Sequence, residues 1–191
     1  MNKNTVVLVV AAFVVGLMVT ILGPRMFGDK PAQVVQNTGG PVQSAPPPGV
    51  NYSVQINALK KRLESNPNDV SLLVSLGNTY FDANMPLESI EAYEKSLALS
   101  PGNPNVITDL GVMYRRAGQS DVALEKFREA AAIDARHPQS RMNIGVVLLY
   151  DYEDLPGARA AFEDFLTVVP AGPQADQIRG LIAQIDQGMI Q

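Results

Sequence analysis

The chain repeats itself, and no other property restricts its fold as much. Residues 70–103, 104–137 and 138–172 align in register with a 34-residue period, the third unit carrying one extra residue. A period of that length means that each unit is one small supersecondary element stacked on its neighbours. Leu73, Leu76, Gly77 and Tyr80 of the first unit recur as Ile107, Leu110, Gly111 and Tyr114 in the second. Ile144, Gly145 and Leu148 continue the series in the third. Later in each unit, Ser89, Ala123 and Ala158 hold a small-residue position, and Tyr93, Phe127 and Phe162 an aromatic one. Pro101 closes the first unit and Pro170 the third. No single unit can bury its apolar face alone, so the units must stack.

In this register and with these residue types the three units resemble the tetratricopeptide repeat (TPR), over residues 70–171. The resemblance implies an all-α fold: a right-handed α-solenoid of about three helix pairs with flanking helices. The glycine would sit where helix A of a unit meets helix B, with the small residue opposite it. The aromatic would fill the space between neighbouring units. Residues 53–65 place Ile56, Leu59 and Leu63 on one face before Asn66-Pro67-Asn68-Asp69, which reads as a half-repeat. Residues 174–187 place Ile178, Leu181, Ile182 and Ile185 at amphipathic helical spacing, a cap for the array. Pro173 suits the first turn of that helix. Three departures stand out: Arg141 at a position usually large and apolar, Ala135 in place of a closing proline, and the extra residue, placed within Tyr150–Asp154.

In TPR proteins the ligand-binding surface is the concave face built from successive A helices. Carried over by register, the expected groove comprises Val74, Asn78 and Phe81 in the first unit and Thr108, Asp109, Val112 and Arg115 in the second. The third unit contributes Met142, Asn143, Val146 and Leu149. Apolar pockets with a few amides suit a peptide, whose side chains fill the pockets while its backbone meets the amides. The family's basic clamp for an acidic C-terminus matches here only at Asn78. Val74, Asp109, Gln139 and Asn143 stand at its other positions, so the resemblance does not extend to that recognition.

The first 50 residues are of another kind. Thr5 to Leu22 (TVVLVVAAFVVGLMVTIL) carry no charge. As a helix they would reach roughly 27 Å, close to the hydrocarbon thickness of a bilayer. Gly23-Pro24 would stop that helix. Residues 1–24 are therefore expected to form a single transmembrane anchor contacting lipid through 5–22. The rival, a cleaved signal peptide, asks for a shorter apolar run and a small-x-small site. Ala12, Gly16 and Thr20 recur every four residues, a stripe through which two anchors could pair weakly; in an apolar helix, chance is the commoner origin of such spacing. Residues 25–50 form a linker whose last twenty positions hold five prolines and three glycines without a charge. Pro46-Pro47-Pro48 favours an extended spacer. With Lys3 on one side and Arg25 and Lys30 on the other, the positive-inside rule favours neither orientation. A short N-tail before a large C-terminal domain (51–191) suits a signal-anchor in the inner (cytoplasmic) membrane, with the domain periplasmic or otherwise extracytoplasmic.

Composition excludes several functions. The net charge is −4, and residues 51–191 hold 12 Lys/Arg against 18 Asp/Glu, the wrong balance for nucleic acid. There is no cysteine and one histidine, His137, expected to be exposed in an inter-repeat turn. No metal or cofactor site follows from such a set. Asp151, Glu153 and Asp154 lack EF-hand spacing and read as a solvated turn. No nucleophile–base pair or phosphate loop is present, so an enzyme is not expected. Anchor, spacer and acidic repeat domain together resemble the bacterial TPR proteins of c-type cytochrome maturation. That resemblance implies an adaptor that holds a peptide segment of a client. The alternative is a scaffold for an envelope complex such as secretion, pilus or division machinery.

Overall fold

In a computed structural model the described residues are 51–190. They form eight helices: α1 (Tyr52–Ser65), α2 (Val70–Asp82), α3 (Pro86–Leu99), α4 (Pro104–Arg116), α5 (Ser120–Ile133), α6 (Pro138–Tyr150), α7 (Leu155–Val168) and α8 (Pro173–Asp186). No strand occurs among the described residues. The pairs α2–α3, α4–α5 and α6–α7 are the three repeated hairpins, and α1 and α8 flank them. None of these helices is long and apolar enough to cross a membrane. The expected anchor (1–24), its stripe of Ala12, Gly16 and Thr20, and the linker (25–50) lie outside the described residues.

The first turn of each A helix is fixed by a residue at one repeat position. Asp69 Oδ1 accepts from Leu72 N–H at 3.1 Å, Asn103 Oδ1 from Asn105 N–H at 3.1 Å, and His137 Nδ1 from Ser140 N–H at 3.3 Å. Such caps satisfy donors that the helix itself leaves unpaired. His137 is thus buried rather than exposed. Its Nε2 lies 3.0 Å from Asn105 Oδ1. With Nδ1 accepting, the proton sits on Nε2, and the ring ties the start of α6 to α4.

The glycines set how closely each hairpin closes. A Cβ built on Gly111 would lie 2.7 Å from a ring carbon of Phe127, and one on Gly77 would lie 2.5 Å from Tyr93. Phe162 covers Gly145 in the same way. The aromatic therefore packs first within its own unit, not only between units as the repeat pattern implies. It reaches the next unit as well: Tyr93 clusters with Val106, Leu110 and Met113, and Phe127 with Val147. Ser89, Ala123 and Ala158 are fully buried opposite the glycines, and Ser89 Oγ donates to Gly77 O at 2.9 Å.

The departures have local explanations. Arg141 donates through Nε to the Ala135 carbonyl at 3.0 Å and pairs with Asp164, so it stitches the turn that lacks its proline. The extra residue lengthens one turn: Asp151–Asp154 joins α6 to α7, where Ala83–Met85 and Ala117–Gln119 suffice earlier. All three turns pass through the left-handed region, at Asn84 (φ 55°), Gly118 (φ 77°) and Glu153 (φ 54°). Glutamate is the least suited of the three to that conformation. Helix α8 keeps a glycine, Gly180, at the place where the A helices carry theirs, but no atom lies within 4 Å of a Cβ there.

Candidate functional site

The concave face is made by α2, α4 and α6, whose backbones approach one another across the array. The expected groove residues sort into three groups on it. Val74, Asp109, Val112, Met142, Asn143 and Val146 are half-buried and Asn78 is exposed, as a lining requires. Thr108 and Leu149 are buried, at 4% and 3% exposure, and belong to the floor rather than the wall. Both lie between packed helices, a property that register alone does not report. Met142 and Val146 also pack against the apolar cluster that holds Leu149, Phe162 and Ile178, so α8 shares that end of the groove.

Arg115 and Phe81 are engaged within the protein. Arg115 forms a bidentate pair with Asp151, Nε to Oδ2 and Nη2 to Oδ1, both at 2.7 Å. Ser120 Oγ donates to the same Oδ2 at 2.7 Å. The expected ligand contact at Arg115 is thus an internal latch between the second unit and the turn of the third. Asp151 lies in an exposed turn, as expected, but its carboxylate is paired within the protein. Burial pushes its carboxyl upward, but the bonds from Arg115 and Ser120 outweigh this and hold it below the usual range. Phe81 has the Arg116 guanidinium over its ring, 4.4 Å from the centroid, and Arg116 Nη1 donates to Phe81 O at 3.1 Å. One face of the expected pocket is therefore already covered.

Between α2 and α4 the arrangement is different. Tyr93, 1% exposed, donates its hydroxyl to Asn78 Oδ1 at 2.7 Å. Asp109 stands near this pair and near Asp82, and among the described residues it has neither a hydrogen-bond donor nor an ion-pair partner. Burial and, next, the like charge of Asp82 push its carboxyl up to about 6. Beside it in sequence, Thr108 Oγ1 is the one buried side-chain polar atom among the described residues without a hydrogen-bond partner. Asp82, Arg116 and Asp151 were not among the residues expected from register. Asp82, Arg116 and Tyr150 share one repeat position, the last of each A helix, which was the available signal. A separate concavity of about 450 Å³ lies between α1 and α3 over α2, with Lys60, Glu88, Glu91 and Lys95 on its walls and Leu63 and Tyr80 inside.

Stacked helical hairpins with glycine–aromatic closure define an α-solenoid, a class of protein that presents an extended concave surface. Residues 108–176, from within α4 to the first turn of α8, match the tetratricopeptide repeat family (TPR_16: Tetratricopeptide repeat). No curated protein sequence matches the chain. Among solved structures, MamA superposes at a TM-score of 0.63 with 24% identity over 71% of this chain and 83% of that one. The first TPR of Spaghetti (RPAP3), bound to an HSP90 peptide, gives a TM-score of 0.57 with 23% identity over 64% and 94%. The Yersinia enterocolitica type III secretion chaperone SycD, in complex with a peptide of the translocator YopD, gives 0.58 with 15% identity over 62% and 93%. At these identities the likeness establishes the fold alone.

Proposed function

We propose that this chain is a membrane-tethered adaptor that holds an extended peptide segment of a client protein in the concave face of its TPR array. One observation carries the reading: Val74, Asn78, Asp109, Val112, Asn143 and Val146 form a largely half-buried lining of apolar and polar groups on a preformed surface. Such a surface binds by apolar pockets with a few fixed polar groups. Two of the similar folds have a peptide bound. The uncharged run 5–22 and the proline-rich spacer support tethering, and the short N-tail before a large C-terminal domain supports an array on the extracytoplasmic side. Within that reading the client is an apocytochrome segment held for haem ligation, which rests on the order of anchor, spacer and acidic repeats.

Co-purification of the full-length chain from detergent-solubilised membranes tests the proposal. The expected result is recovery in the membrane fraction with a client that is lost from an Asn78→Ala/Asn143→Ala variant of unchanged helicity. Retention of the same partner by that variant would place binding elsewhere. Recovery of the intact chain in the soluble fraction would remove the tether.

A further inference from the structure

We infer that the α2–α4 half of the groove selects a peptide carrying a lysine or arginine side chain, with Asp109 as the counter-ion. The inference rests on the groove being the peptide site. The apolar walls here are Val74 and Val112, both half-buried. One turn before Val112 on α4 stands a carboxylate that the protein leaves unsatisfied: Asp109 has no donor and no cation among the described residues. The arginines that follow on the same helix are engaged elsewhere, Arg115 on Asp151 and Arg116 on Phe81. Asn78 Oδ1, on the facing helix, accepts from the Tyr93 hydroxyl at 2.7 Å. Asp82, on the same facing helix, adds a second negative charge at Asp109, and it is Asp82 rather than Asp109 that feels the Arg116 guanidinium.

A half-buried carboxylate without a partner costs folding free energy, and a cation delivered by a ligand recovers it. The same turn of α4 carries a second unsatisfied polar group. Thr108 Oγ1, next to Asp109 in sequence and buried beneath the groove, has no hydrogen-bond partner among the described residues. Charge complementarity thus identifies the occupant as a basic side chain flanked by apolar residues, opposite in sign to what a basic clamp accepts.

The test uses the full-length protein and extended apolar peptides that differ at one central residue: Lys, Arg, Gln or Glu. Fluorescence anisotropy is expected to show the Lys and Arg peptides binding about tenfold tighter than the Gln peptide, with Glu weakest. Asp109→Asn should bring Lys and Gln to within about twofold of each other by weakening the Lys peptide and sparing the Gln peptide, and Asp109→Glu should restore part of the preference. A Lys preference that survives Asp109→Asn overturns the inference. Binding of all four peptides alike overturns it too, but leaves the groove reading standing. Binding of none removes both. Tighter Lys-peptide binding by an Arg25→Gln/Lys30→Gln variant would show that the chain's own basic residues occupy the site, and would overturn assignment to a partner.

Discussion

The two seams of the concave face are built from the same kinds of residue and end in opposite states. Where the second unit meets the third, a carboxylate (Asp151) receives a forked arginine and a serine hydroxyl. Where the first meets the second, a carboxylate (Asp109) receives nothing among the described residues, and its neighbour is another acid. Burial pushes both groups upward. Asp151 nonetheless falls below its ordinary value and Asp109 rises to about 6, because hydrogen bonds from a cation exceed the burial penalty in one case and are missing in the other. The first seam tolerates a cost that the second has removed, as is common where stability yields to binding.

Removing the charge at the open seam should have the largest effect. Asp109→Asn is expected to stabilise the protein at pH 7 by up to about 3 kcal/mol, seen as a rise in thermal midpoint. The sign follows from the raised value. Protonated Asp109 favours the folded state below about 3.8, and this is lost as the pH climbs through about 6. The advantage of the variant should therefore be absent at about pH 3.5, grow between about pH 4 and 6 and level off above. A variant less stable than the parent at pH 7 would mean that Asp109 has a partner in solution.

Phe81→Ala comes next, with a loss of about 2 kcal/mol, since it removes a half-buried ring and the cation–π contact with Arg116. Urea denaturation measures it; a loss under ~0.5 kcal/mol would show that Arg116 does not cover the ring. At the closed seam, Arg115→Gln should cost roughly 1–2 kcal/mol. It should also weaken the acid-side dependence of stability. Asp151, held low, contributes stability above the usual carboxylate range that disappears as the pH falls. Equal acid profiles for parent and variant would sink the latch. The smallest effect is expected at Glu153→Gly, a gain of about 0.5–1 kcal/mol from relief of the left-handed conformation in the turn that carries Asp151. Thermal unfolding of that variant measures it, and a lower midpoint than the parent's would show that the turn holds Glu153 without strain.

Much of the array was legible in the sequence because a repeat reports the same packing problem three times. Gly77, Gly111 and Gly145 are recognisable since each must admit a ring, and the ring recurs sixteen residues on, or seventeen in the lengthened third unit. The groove was legible only as a register. Register says which positions face the concave side. It does not say that Thr108 is squeezed beneath that side, or that Arg115 finds Asp151 thirty-six residues later. Those outcomes depend on the extra turn residue and on pairings between units, which no single-unit pattern encodes. His137 misled for a related reason: a turn position suggests solvent, yet the ring serves as a helix cap buried against Asn105.

Gly180 has a consequence for how such a chain can change length. In the hairpins, the glycine is a socket, and an alanine at Gly111 would drive a methyl into Phe127. At Gly180 the socket stands open. Alanine there should be welcomed by the helix, worth about 1 kcal/mol in propensity. The same vacancy is a seat for the aromatic of an additional helix. In a modular array, free energy is added unit by unit and interface by interface. Helix α8 is thus a splice point, where a grafted helix bearing a ring at the homologous position would extend the solenoid without redesign of the units before it.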